Sequence, residues 1–185
     1  MSEFTPVEVS HIQNAKLTLL SLFTPRFEQL PMSLQMLLEK GILTGGATAS
    51  VMQNGIPNDY DIYLTDKEHI EAFKSLLHNN DVLEFVKDIS ESYKANIQVN
   101  GKLITANATT FNNGIQVITC ADAKSREKFD YIHCMPWYDI KNDKLYISPQ
   151  QFNAIKTKKL IINPKAKNPP TAYRRQKYIE RGWRE

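Results

Sequence analysis

The stretch LTGGATASVMQNGIPNDYDIYL, residues 43–64, sets Gly45 and Gly46 side by side behind a short apolar piece, then places Asp59 and Asp61 thirteen and fifteen residues past the second glycine. Ile42, Leu43 and Thr44 are too few for a helix and read as a strand. The small and apolar run after the glycines reads as a short helix that stops at Asn54 and Gly55. In DYDIYL, residues 59–64, period-two alternation puts Asp59, Asp61 and Tyr63 on one strand face and Tyr60, Ile62 and Leu64 on the other.

A strand that feeds Gly-Gly into a helix points the free N–H groups of the first helical turn outward, and glycine lets an anion approach with no Cβ in the way. That geometry suits phosphate. Thr48 and Ser50, just past the glycines, are candidate hydroxyl donors to the same anion. Aspartates two apart on one strand face bring their carboxylates together, where they repel. A divalent cation relieves that repulsion and bridges to phosphate oxygens held at the turn.

N-terminal to this segment, residues 9–23 carry Ile12, Ala15, Leu19, Leu22 and Phe23 at helical spacing with Ser10 as candidate N-cap, and residues 31–40 form a second helix between Pro31 and a stop at Gly41. C-terminal to it, Thr65 or Asp66 caps a helix that runs to about His78. Residues 103–111 and 115–120 read as a hairpin about Asn112, Asn113 and Gly114, since that triplet supplies positive φ. A short helix over 121–128, a strand over 129–135 and a strand at KLYI follow; Trp137 and Tyr138 either seal a core edge, the reading taken here, or form a base-stacking platform. Helices and strands interleave with some antiparallel pairing, so the class is α/β (α+β), one small mixed sheet flanked by helices. The KNPP run divides a domain over 1–166, N-terminal helices included, from a basic helical tail over 167–185 in which Arg174, Lys177 and Arg181 share one face.

A chain of 185 residues with 42% apolar and 23% charged side chains has the composition of one soluble domain. No apolar run reaches membrane-spanning length and the opening MSEFTPVEVS lacks signal-peptide order, so a cytoplasmic protein is expected. Cys120 and Cys134 form no zinc or disulfide pattern and are expected reduced and partly buried. Charge is segregated: residues 151–185 hold ten Lys and Arg against Glu180 and Glu185, net +8, and the first 150 hold 13 against 18, net −5. A basic end on an acidic domain suits a polyanionic partner, RNA or a nucleoside triphosphate.

With Gly45, Gly46, Asp59 and Asp61 in this order, the chain resembles the nucleotidyltransferase superfamily, particularly the head domains of poly(A) polymerases and CCA-adding enzymes, over residues 42–64 and more loosely to 137. The resemblance implies a small mixed sheet flanked by helices and transfer of a nucleoside monophosphate from an NTP to a hydroxyl acceptor, with release of pyrophosphate. It also implies that Asp59 and Asp61 hold Mg²⁺ or Mn²⁺ ions, and that Gly45 and Gly46 meet the triphosphate. A third carboxylate normally completes such a site. By order along the chain that place falls on Gln116 in IQVI; the later segment FDYI offers Asp130. Either Asp130 is the third metal ligand, the reading taken here, or the chain is an inactive member with a structural or nucleic-acid-binding role, for instance in a phage particle. FDYIHCMPWYD and YRRQKYIERGW also resemble a nucleotidyltransferase-like group found in phage and in some large-virus and ankyrin-repeat proteins, which places the chain in a host cytoplasm or a virion. The ending is similar to the arginine-bearing helix after the head of CCA-adding enzymes, and this makes Arg174, Arg175 and Lys177 candidates for triphosphate binding.

Overall fold

The structure, a computed structural model, describes residues 3–89, 96–99, 102–105 and 108–185. Helix α1 (Pro6–Phe27) starts three residues before the expected point, because Thr5 and Glu8 form a capping box and Pro6 occupies the first turn; Ser10 lies inside the helix. Ala15, Leu19, Phe23 and Phe27 recur every fourth residue and are buried. Helix α2 (Met32–Leu38) leads to β1 (Ile42–Thr44), α3 (Ala47–Met52) and β2 (Tyr60–Leu64). Asp66, whose side chain accepts from the Glu68 and His69 amides, caps α4 (Lys67–Leu76), and α5 (Asn80–Leu83) follows.

Strands β3 (Val86–Ile89), β6 (Ala108–Phe111), β7 (Ile115–Thr119), β8 (Trp137–Asp139) and β9 (Lys144–Tyr146) join β1 and β2 in a seven-stranded sheet of order β3-β6-β7-β2-β1-β8-β9, and β4 (Asn96–Val99) pairs with β5 (Lys102–Thr105) in a separate ribbon. The large sheet is mixed: β2 and β7 are parallel and its other pairs antiparallel. This is the expected α+β class. The expected hairpin about residues 112–114 forms between β6 and β7 with Gly114 at φ +84°, but its first arm is divided into β5 and β6; Ala106 and Asn107 lie outside the described residues.

Residues 129–135 do not form the expected strand. A 3-10 turn (Ser125–Lys128), a bend at Asp130 and a second 3-10 turn (Ile132–Cys134) replace it, and Tyr131 makes one isolated bridge to Ile162. The partner of β1 on that side is β8, which begins immediately after Pro136. Helix α6 (Pro149–Thr157) is stopped by Lys158 in the left-handed region, and α7 (Ala172–Glu180) is the anticipated basic helix. Ser148 caps α6 in a second capping box with Gln151. Ser148→Ala should therefore lower stability by about 1 kcal/mol, read as a drop in urea midpoint with unchanged slope.

One face of the central strands is core: Tyr60, Ile62, Leu64, Ile115 and Val117 are at most 1% exposed. Phe23 of α1 packs on Tyr60 with ring centroids 5.9 Å apart, and Phe73 of α4 on Phe111 at 6.5 Å. Tyr178 of α7 and Trp183 beyond it belong to the same core, so the tail over 167–185 packs onto the domain. The opposite strand face, carrying Asp61, Tyr63, Gln116 and Ile118, is half-buried. There the cleft opens.

Candidate active site

Thr44 ends β1 directly opposite Asp61 on β2. The chain then bends at Gly45, φ +92°, where the Gly45 N–H donates to the Cys134 carbonyl at 3.1 Å. A Cβ added to Gly45 would stand 2.9 Å from Asp61 Oδ2. Glycine is thus required twice, for the backbone angle and for room beside the carboxylate. At Gly46 an added Cβ would meet nothing within 4 Å, and Gly46 lines the cleft.

The Asp61 carboxylate is pressed against that bend with Oδ1 shut off from solvent and without a hydrogen-bond partner. Burial, reinforced by repulsion from Asp59, pushes its pKa up to about 7 against the pull of Lys177 and Arg174. A buried, unpartnered carboxylate beside a second acid is costly unless something positive joins it. Two acid side chains, one with a desolvated oxygen that lacks a donor, are a donor set suited to a hard divalent cation.

Facing the acids is a cationic wall. Thr171 caps α7, its side chain accepting from the Arg174 amide at 3.2 Å. Arg174 donates through Nε to Asp130 Oδ2 at 2.6 Å and through Nη2 to Oδ1 at 3.1 Å, a charge-assisted fork. Behind it, His133 stacks on Trp183 with centroids 4.1 Å apart and meets Tyr178 edge-on at 4.6 Å, and Cys134 Sγ lies 3.4 Å from the Tyr178 hydroxyl. A 3-10 turn over residues 132–134, in place of a strand, sends His133 and Cys134 both inward. Burial, aided by Arg174, pushes the His133 pKa down to about 3, so the imidazole is neutral. Pinned in this way, α7 presents Lys177 and Arg181 to the cleft, and Lys167 joins them from the preceding loop. Burial and the neighbouring Arg181 and Arg174 charges lower the Lys177 pKa, the mark of a cation that gains from an anion nearby.

The resulting cleft has a volume of about 1050 Å³. Gly45, Gly46, Ser50, Asp59, Asp61, Asp130, Arg174 and Lys177 all line it. Thr48 and Arg175 do not. Thr48 is 2% exposed on the inward side of α3, so it is no phosphate donor at this surface. Arg175, one residue and roughly 100° around the helix from Arg174, pairs with Glu185 on the exposed side. Asp130 reaches the cleft from a bend rather than a strand, and its oxygens are taken by Arg174 and, at 2.8 Å, by the Tyr131 amide. Gln116 is the register neighbour of Asp61. Among the described residues no group of three His, Cys, Asp or Glu side chains stands ready to hold a metal ion. Lys167 was missed because the KNPP run reads as a linker; its one local signal is position just before the Thr171 cap.

No curated protein matches the sequence. Among solved structures the chain is similar to the Bacillus stearothermophilus CCA-adding enzyme in complex with CTP, at 15% identity over 67% of this chain and 29% of that one, with a TM-score of 0.37. It is also similar to an apo CCA-adding enzyme, at 14% identity over 78% and 35% with a TM-score of 0.44, and to the Thermotoga maritima CCA-adding enzyme complexed with tRNA, at 12% over 75% and 35% with a TM-score of 0.42. The chain thus spans about a third of the length of those enzymes. The sequence pattern of one family covers residues 15–158, which include Gly45, Gly46, Asp59, Asp61 and Asp130. On that match, which takes in well over half of its length, the chain belongs to the Gabija anti-defense 2 family.

Proposed function

We propose that the protein is a metal-dependent nucleotidyltransferase, moving a nucleoside monophosphate from an NTP to a hydroxyl of RNA, a nucleotide or a protein, and that this reaction serves the anti-defence role for which its family is described. The observation that carries the reading is the Asp61 carboxylate, whose Oδ1 is buried and unpartnered and whose Oδ2 lies against a glycine with no room for a Cβ. Asp59 and Asp61 would hold the cation, Mg²⁺ or Mn²⁺. When bound, that cation supplies the Lewis acidity that sharpens an attacking oxygen and steadies a leaving pyrophosphate. The chain's own contribution is positional. Lys177, Arg181 and Lys167 hold the triphosphate from the wall opposite the acids, and Gly46 leaves the bend open to its oxygens. The acceptor hydroxyl oxygen then forms a bond to the α-phosphorus as the bond to pyrophosphate breaks and the hydroxyl proton passes to solvent. RNA as acceptor is supported by the same excess of cations.

A second reading rests on Gln116 beside Asp61 and on Asp130 tied to Arg174: the cleft binds nucleotide or another polyanion without turning it over. One assay separates the two. With labelled NTPs and Mg²⁺ or Mn²⁺, the wild-type protein should release pyrophosphate, and Asp59→Ala and Asp61→Ala should each lose about a thousandfold in rate. Metal-dependent NTP binding with no pyrophosphate released by the wild type would decide for the silent cleft.

A further inference from the structure

The floor of the cleft changes character along its length. Alternation puts Tyr63 on the same face of β2 as Asp61, two residues further on and hence about 7 Å away. The parallel register sets Gln116 beside Asp61 and Ile118 beside Tyr63. Phe129 arrives from the loop after the first 3-10 turn and brings its ring to 5.4 Å from that of Tyr63, tilted by 52°. Tyr63, Ile118 and Phe129 are half-buried and all three line the cleft. Acids and cations account for a triphosphate at one end. They leave the aromatic and aliphatic end without an occupant, one short step along the same floor.

We infer that this end, built from Tyr63, Phe129 and Ile118, takes the nucleobase of the NTP by stacking, so that one cleft grips triphosphate at its charged end and base at its apolar end. The inference rests on the NTP reading given above. It also says how selective the cleft is. In the loop that carries Phe129, Lys128 and Asp122 are tied to each other at 2.7 Å, and the Ser125 hydroxyl rotates to donate or accept. Stacking on a ring platform accepts every base, because each has a π-face. ATP, GTP, CTP and UTP should bind within a few-fold of one another.

The test is calorimetric titration of the full chain, in excess Mg²⁺, with each NTP and with inorganic tripolyphosphate. Tyr63→Leu and Phe129→Leu should weaken NTP binding about tenfold or more and leave tripolyphosphate affinity unchanged, which also shows that the charged end is intact; Tyr63→Phe should retain NTP affinity. Unchanged NTP binding in both leucine variants would overturn the inference, as would equal losses for NTP and tripolyphosphate. If wild type binds neither ligand, the nucleotide reading itself falls and takes this one with it. Tripolyphosphate binding that survives in every variant, with NTP binding no tighter than tripolyphosphate in the wild type, removes the base platform alone.

Discussion

Replacing Asp61 with Asn will make the metal-free protein more stable at pH 8, by about 2 kcal/mol, and on the proposed function it should abolish both transfer and stabilisation by Mg²⁺. Burial, with Asp59 beside it, raises the Asp61 carboxyl pKa to about 7. An acid whose folded pKa lies above its unfolded value of about 3.9 binds more protons folded than unfolded between those limits, so stability falls as pH climbs through that window. The cost levels off above pH 7 at roughly 4 kcal/mol, about three pKa units. Asparagine removes that charge but buries an amide with unmet hydrogen bonds, which returns about 2 kcal/mol of the gain. His133 acts with the opposite sign. Its pKa, pushed down to about 3 by burial and by Arg174, means that the unfolded chain takes up the extra proton between pH 6.5 and 3, so stability falls with acid across that window. Between pH 7 and pH 5 the two effects nearly cancel in the wild type. In Asp61→Asn only the histidine term remains, and acidification from pH 7 to pH 5 should cost about 2 kcal/mol. Urea midpoints in EDTA at pH 5, 7 and 8 check the sign. Thermal shifts with Mn²⁺ should be large for wild type at pH 8, small at pH 5.5 where protons compete, and absent for the variant. Equal midpoints for variant and wild type at pH 8 in EDTA would contradict the buried orphan charge.

Gly45→Ala should cost about 2 to 3 kcal/mol and displace the Asp61 carboxylate. A side chain at φ +92° meets a backbone penalty of about 1–2 kcal/mol, and the new Cβ would lie 2.9 Å from Asp61 Oδ2. The two costs are separable. In an Asp61→Ala background the second partner of the clash is gone, so the same glycine substitution should cost only the backbone share, leaving a coupling of about 1 kcal/mol in a double-mutant cycle. Gly46→Ala is the control. Its Cβ enters open space, so stability should change by no more than a few tenths of a kcal/mol. Additive effects of Gly45→Ala and Asp61→Ala would show that the bend does not hold the carboxylate.

The acid strand and the glycine bend were legible because local rules decide them. Alternation over residues 59–64 assigns Asp61 and Tyr63 to one face whatever packs around them, and only glycine tolerates the bend at 45. Residues 129–135 were not legible. Their alternation matches a strand, but the edge of β1 that they would have filled pairs with residues 137–139 instead, a competition settled by tertiary contacts. The same holds for Asp130. Nothing within its own segment signals a guanidinium 44 positions away, and the sequence shows Arg174 only as part of a basic helical face. Thr48 and Arg175 illustrate a finer limit, since helical phase over one residue decides whether a side chain meets the cleft, the core or open water.

The wall formed by α7 has a temporal consequence for biosynthesis. The acids stand at positions 59 and 61, whereas Lys177 and Arg181, which face them, are translated more than 110 residues later. For most of its synthesis the nascent chain therefore carries both acids before any counter-charge from that helix has been made. Until then the half-made cleft has only dissolved cations to set against its acids, and on the proposed function free divalent metal is the partner that fits them.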